Sequence, residues 1–174
     1  DKTGTLTLGR PELARILPRS GEDEDSLLRL AATAEQDNQH PLAQAIVRAA
    51  HARGLALESV SEVETLPGAG VKAIVPLGEG DRMTVLVGNQ RLLTEAGLDG
   101  DGDDDDKSHS DVRDALRTLD EQGATPLFVA VNGRILGLMG LRDTIRPEAH
   151  DIIHQLKHLG VKTLAILTGD RAAA

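Results

Sequence analysis

The chain opens on Asp1-Lys2-Thr3-Gly4-Thr5-Leu6-Thr7, a carboxylate followed by small and hydroxylated residues. Such a string can present a nucleophilic Asp1 on a tight turn whose backbone N–H groups face a phosphoryl group. Near the other end, Thr168-Gly169-Asp170 follows the apolar run from Thr163 to Leu167, although a turn of this kind after a strand is common in itself. Between the two lies His40-Pro41. Proline biases His40 toward an extended backbone and starts a helix, which places the imidazole at a helix N-terminus where phosphate is welcome. Taken alone, a histidine in that position is an ordinary first-turn residue. Pro67-Gly68-Ala69-Gly70-Val71 carries two residues without side chains, so a ligand could lie close to the backbone, but a Gly-X-Gly by itself is little more than a turn.

The elements that must position these residues follow from local pattern. Ser20 to Asp23 reads as a helix start with acids in the first turn, and Leu27, Leu28, Leu30, Ala31 and Ala34 form an apolar face through about Gln36. Pro41 opens a second helix with Leu42, Ala45, Ile46 and Ala49 on one side, closed by Gly54. From Leu55 to Val87 short apolar or alternating runs broken by Gly and Pro predict strands, among them Val71 to Pro76 and Thr84 to Val87. A short helix is expected around Arg91 to Ala96, a solvated loop over Asp99 to Ser110, and a helix from Asp111 to Gln122. Asn132-Gly133 between Leu127–Val131 and Ile135–Leu141 predicts a hairpin. Pro147 then opens a helix expected to bury Ile152, Ile153, Leu156 and Leu159, and Gly160 ends it before a parallel strand over Thr163 to Leu167.

Composition narrows the function classes. The 174 residues are 40% apolar, enough for a core, and no run approaches the roughly 18 apolar residues of a membrane helix. No signal peptide is recognisable, and there is no cysteine for disulfides or thiolate metal sites. The net charge of -9 comes from two patches, Glu22 to Asp25 and Asp99, Asp101 and Asp103 to Asp106; outside them charge nearly balances. Without a basic stripe, and with Phe128 as the lone aromatic, nucleic acid is not an expected partner. The six histidines are dispersed along the chain and predict no transition-metal site.

All seven residues from Asp1 to Thr7 match the phosphorylation motif of P-type ATPases, and the chain resembles the heavy-metal-transporting members of that family along its whole length. Further matches are Thr168-Gly169-Asp170, the His40-Pro41 pair with Glu35 five residues ahead, Gly68-Ala69-Gly70-Val71, and Val87-Gly88-Asn89. Asn38-Gln39 departs from the Ser-Glu that usually precedes the His-Pro pair. The resemblance implies an α/β fold: an antiparallel-sheet nucleotide-binding domain with flanking helical pairs (9–141), inserted in a partial haloacid dehalogenase-like, Rossmann-like phosphorylation domain (1–8 and 142–174). It implies ATP and Mg²⁺ as cofactors. Asp1 would attack the γ-phosphorus to give an aspartyl phosphate, with Lys2, Thr3, Thr168 and Asp170 completing the catalytic set. Asp1 and the Thr3 backbone carbonyl would hold Mg²⁺. Thr3 stands where related hydrolases carry a second acid, which favours a phosphoenzyme that persists.

By the same resemblance Glu35 would receive the adenine amino group, His40 would contact the nucleotide, Gly68, Gly70 and Val71 would line its approach, and Asn89 would hydrogen-bond near the ribose. Asp143 and Arg146 resemble another family landmark, with a plain ion pair as the alternative. The implied setting is a cytoplasmic domain of an integral membrane pump, partnered by its transmembrane and actuator domains, with the transported heavy-metal ion bound elsewhere. Family members continue beyond Asp170 with a phosphoryl-binding lysine and a Gly-Asp-Gly-X-Asn-Asp run, so this segment is expected to bind ATP without turning it over. The alternatives are a dehalogenase-like phosphatase with a large cap and a non-catalytic nucleotide-sensing module.

Overall fold

The structure, a computed structural model, describes residues 5–78, 80–98 and 106–165, with the side chains of 106–109 outside that description. The elements run β1 (Thr7–Pro18), α1 (Glu24–Glu35), α2 (Pro41–Ala52), β2 (Glu62–Leu66), β3 (Gly70–Gly78), β4 (Asp81–Gly88), α3 (Gln90–Glu95), α4 (Asp106–Glu121), β5 (Thr125–Val131), β6 (Arg134–Ile145) and α5 (Ala149–His158). The strands form one antiparallel sheet in the order β1-β6-β5-β4-β3-β2.

Strand alternation sorts the side chains into two layers. Val71, Ala73 and Val75 of β3, Val85 and Val87 of β4, and Leu127 and Val129 of β5 face α1 and α2, where they pack on Leu27, Leu28, Ala31, Ala34, Ala45 and Ile46. The opposite faces of β4, β5 and β6 carry Leu86, Phe128, Ala130 and Leu138, which pack under Leu92 and Leu93 of α3 and Leu119 of α4. The α-hairpin is thus anchored by a stripe of small and β-branched residues. Ala31, Ala32, Ala50 and Ala73 are fully buried, so helix and sheet approach closely.

The expected hairpin forms as predicted. Asn132 and Gly133 both take positive φ (48° and 82°), and Val131 pairs with Arg134 across them. The cap of α1 lies later than the sequence suggests: Asp23, not Ser20, accepts the Ser26 amide at 3.0 Å, with Glu24 and Asp25 in the first turn. Residues 106–110, expected within a loop, belong to α4, and the rest of that expected loop lies outside the described residues.

Two larger differences concern the chain ends. The pattern reading assigns no element to residues 9–18, yet β1 runs through them as an edge strand. Pro11 and Pro18 are tolerated there because an edge needs hydrogen bonds on one side only, and register shifts between Thr7 and Pro11 and between Leu13 and Arg15 absorb the irregular pattern. Helix α5 forms, but its expected burial does not. Ile152 is 49% and Leu159 82% exposed, and Ile153 and Leu156 are only partly covered, since no sheet among the described residues lies against this face. For the same reason 163–165 carry no strand; the rest of the expected parallel strand lies outside the described residues.

Candidate functional site

Helix α1 ends by burying an acid. Glu35 is 5% exposed, and its Oε2 accepts from Asn38 Nδ2 at 2.6 Å. Burial pushes its carboxyl above the usual range, opposed by the Asn38 hydrogen bond. The same Asn38 side chain accepts the His40 amide through Oδ1 at 3.0 Å, and its backbone carbonyl accepts from Gln44 Nε2 at 2.7 Å. One asparagine therefore ties the acid, the histidine and the following helix into a single network.

His40 caps α2. Its backbone is extended (φ -62°, ψ 137°), Pro41 takes the first helical position, and Nδ1 accepts the Leu42 amide at 3.3 Å. An acceptor at Nδ1 assigns the neutral ring's proton to Nε2, so the exposed imidazole has a donor to offer beside the positive end of a 12-residue helix.

The glycine turn has demands of its own. Gly68 sits at φ +72° with open space around it, the nearest atom to an added Cβ being Arg91 Nη1 at 3.8 Å. Gly70 is different. It pairs with Gly88 of β4, and a Cβ there would stand 2.2 Å from the Val87 carbonyl oxygen and 2.6 Å from Gly88 Cα. Two glycines face each other across the paired strands, where the backbones leave no room for a side chain. Asn89 locks the turn from the far side: Nδ2 donates to the Gly68 carbonyl at 2.8 Å, while Oδ1 caps α3 by accepting the Arg91 and Leu92 amides at 3.0 and 3.4 Å. Val71, next in β3, is fully buried in the core that the sheet shares with α1 and α2.

At the opposite edge, Asp143 and Arg146 do not pair with each other. Asp143 Oδ2 accepts from the buried Thr7 hydroxyl, and Oδ1 accepts the Arg10 amide at 3.0 Å. Arg146 donates from Nε to the Thr5 carbonyl at 3.1 Å and from its backbone to Leu6 at 2.9 Å, and its Nη1 lies 3.6 Å from Glu148. Together they clasp the strand that leaves the Asp1 motif against the strand that returns from the sheet. Asp1, Lys2, Thr3, Thr168 and Asp170 themselves lie outside the described residues, and with them the Mg²⁺ position expected at Asp1 and Thr3.

A profile of the haloacid dehalogenase-like hydrolases matches residues 1–174. The chain belongs to that family. Its relatives there are heavy-metal-transporting P-type ATPases. It is 39% identical over 98% of its length to a probable copper-exporting P-type ATPase of Archaeoglobus fulgidus, of which it covers 19%. It is 40% identical over its full length to a zinc/cadmium/lead-transporting P-type ATPase of Shigella sonnei, covering 21% of that protein. The chain thus spans about a fifth of the length of these relatives. Among solved structures, a zinc-transporting PIB-type ATPase in its E2.Pi state superposes with a TM-score of 0.68 at 36% identity, covering 99% of this chain and 25% of that one. The N-domain of a copper-transporting P-type ATPase shares the fold at 22% identity, with a TM-score of 0.58, covering 74% of this chain and 97% of the N-domain.

For this dehalogenase-like chain the structure adds residues that pattern reading passed over. Asn38 stood out only as a departure from the usual motif, yet it is the hub of the Glu35–His40 network; an asparagine two residues before a helix cap is a recognisable turn former and was the available signal. Gln44 carried no signal at all, because its contact to Asn38 depends on how α2 leaves the turn. Phe128, the lone aromatic of the sequence, is 2% exposed under α3 and α4 and has no face to present to a base.

Proposed function

We propose that this chain is the ATP-handling segment of a heavy-metal-translocating P-type ATPase. Residues 9–141 bind the nucleotide, and 1–8 with 142–174 belong to the phosphorylation domain in which Asp1 becomes an aspartyl phosphate. The observation that carries this reading is the Glu35–Asn38–His40 network at the mouth of the α1–α2 connection, in a chain that also opens on the seven-residue phosphorylation string.

The chemistry of that network suits a purine nucleotide. A buried carboxylate is costly when charged, and Asn38 supplies only one donor to it; an adenine amino group would supply a second and lower that cost on binding. His40, with its proton on Nε2 at a helix N-terminus, offers a donor to a phosphate oxygen. Gly68, Gly70 and Asn89 form the turn against which the ligand would lie, with the buried Val71 anchoring it to the core. ATP is the substrate, and Mg²⁺ accompanies it as in the family. The segment sits on the cytoplasmic side of an integral membrane pump, working with that pump's transmembrane and actuator domains, and the transported ion is held elsewhere.

Titration of the chain with ATP tests the reading. His40→Asn keeps a good helix cap while shortening the donor, so binding is expected to survive in the unaltered chain and to weaken about tenfold or more in the variant, the scale of one hydrogen bond to a charged group. Hydrolysis of p-nitrophenyl phosphate without His40-dependent ATP binding would point to a phosphatase instead.

A further inference from the structure

Three of the six histidines, dispersed though they look along the chain, fall on one helix at a spacing of four: His150, His154 and His158 of α5. Residues four apart stack on one side of a helix, drifting about 40° per step. The apolar residues Ala149, Ile152, Ile153 and Leu156 lie on the other side, their direction about 150° from that of the histidines. The histidine stripe thus lies away from the centre of the apolar face. His150, His154 and His158 are all exposed.

The rings of His154 and His158 already adjoin, with centroids 4.8 Å apart and planes tilted by 60°. Two imidazoles on a tetrahedral Zn²⁺, each bonded at about 2.0–2.1 Å, place their ligating nitrogens about 3.4 Å apart. Rotation of exposed side chains reaches that separation without moving the backbone. His150 is engaged differently, its Nδ1 lying 3.6 Å from Asp151 Oδ1. Among the described residues no group of three or more metal-ligating side chains is placed to hold an ion, so the described residues supply this site with two ligands and leave the remaining positions to water or to another ligand.

We propose that His154 and His158 form a surface chelate for a borderline divalent transition-metal ion of the Zn²⁺ class. It is distinct from the nucleotide site and independent of the function proposed above. Imidazole suits Zn²⁺, Ni²⁺ and Cu²⁺ and not Mg²⁺, which prefers oxygen donors. Because the ion bridges successive turns, it also staples α5, and metal binding and helix order rise together.

Calorimetric titration of the whole chain with ZnCl₂, NiCl₂ and MgCl₂ tests this, with the histidine ring resonances followed by NMR. One Zn²⁺ or Ni²⁺ is expected at the His154 and His158 rings, and no Mg²⁺ there. His154→Gln and His158→Gln should each weaken binding by more than about tenfold, since loss of a mere outer-shell partner already costs that much. Glutamine is a good helix former, so α5 stays intact and circular dichroism verifies it. Zn²⁺ binding unchanged in H154Q/H158Q, no binding in the unaltered chain, or an equal loss in H150Q overturns the proposal. The double variant also separates this site from any ion held by the acidic run around Asp103, which it leaves untouched.

Discussion

Replacing Gly70 by alanine separates two reasons for the glycine-rich turn. If the glycines serve only to admit a ligand, Gly68→Ala and Gly70→Ala should cost the free chain little and about equally. The structure predicts otherwise. At Gly70 the new Cβ meets backbone at 2.2 and 2.6 Å, and no rotamer change relieves it; β3 and β4 must part by about 0.8 Å to reach even the 3.0 Å limit. Overpacking of this kind costs about 1–3 kcal/mol. The φ of +154° is a region left almost entirely to glycine, worth about 1–3 kcal/mol more. The sum, about 2–6 kcal/mol, is a large share of the 5–15 kcal/mol that holds a typical domain together. Gly68→Ala meets open space and bears only the left-handed backbone cost of about 1–2 kcal/mol. Urea unfolding of the ligand-free variants measures both, at comparable m-values. Gly70→Ala should be the less stable, by about 2–3 kcal/mol at the middle of the two ranges, with failure to fold marking the upper end. A Gly70→Ala cost no greater than that of Gly68→Ala, or below about 1 kcal/mol, would refute the explanation from close approach of the paired strands.

Three further outcomes follow from the same contacts. Glu35 carries a folded-state carboxyl raised by burial, so the folded chain holds that proton more tightly than the unfolded one. Its contribution makes stability fall as pH rises from about 4.5 through the raised value, and Glu35→Gln should remove that slope in denaturant melts run across pH. Asn89→Asp keeps an acceptor for the α3 amides but loses the donor to Gly68, so amide exchange should quicken at Ala69 and Asn89 while Arg91 and Leu92 stay protected; Asn89→Ala should lose both ties and about 1 kcal/mol of cap stability. Asp143→Ala removes the acceptor shared by the Thr7 hydroxyl and the Arg10 amide and should destabilise by about 1–3 kcal/mol in thermal melts, with Asp143→Asn milder because its amide oxygen still accepts.

Local pattern was enough for α1, α2, α3 and the β5–β6 hairpin, since Pro41, Gly54, Asn132-Gly133 and helical spacing act within a few residues of themselves. The kinship with heavy-metal P-type ATPases was legible too, because motif residues are constrained by the phosphoryl group and nucleotide of that family more than by their neighbours. Tertiary structure alone decided the rest. Whether β1 is a strand depends on β6, more than a hundred residues later, offering it an edge that tolerates Pro11. Whether Ile152 and Leu159 are buried depends on a surface to cover them, which no periodicity reports. Gly70 answers to Gly88, and Glu35 reaches His40 only through Asn38. Helical period and turn chemistry are properties of residues close in sequence, whereas register and burial belong to pairs that the folded chain brings together.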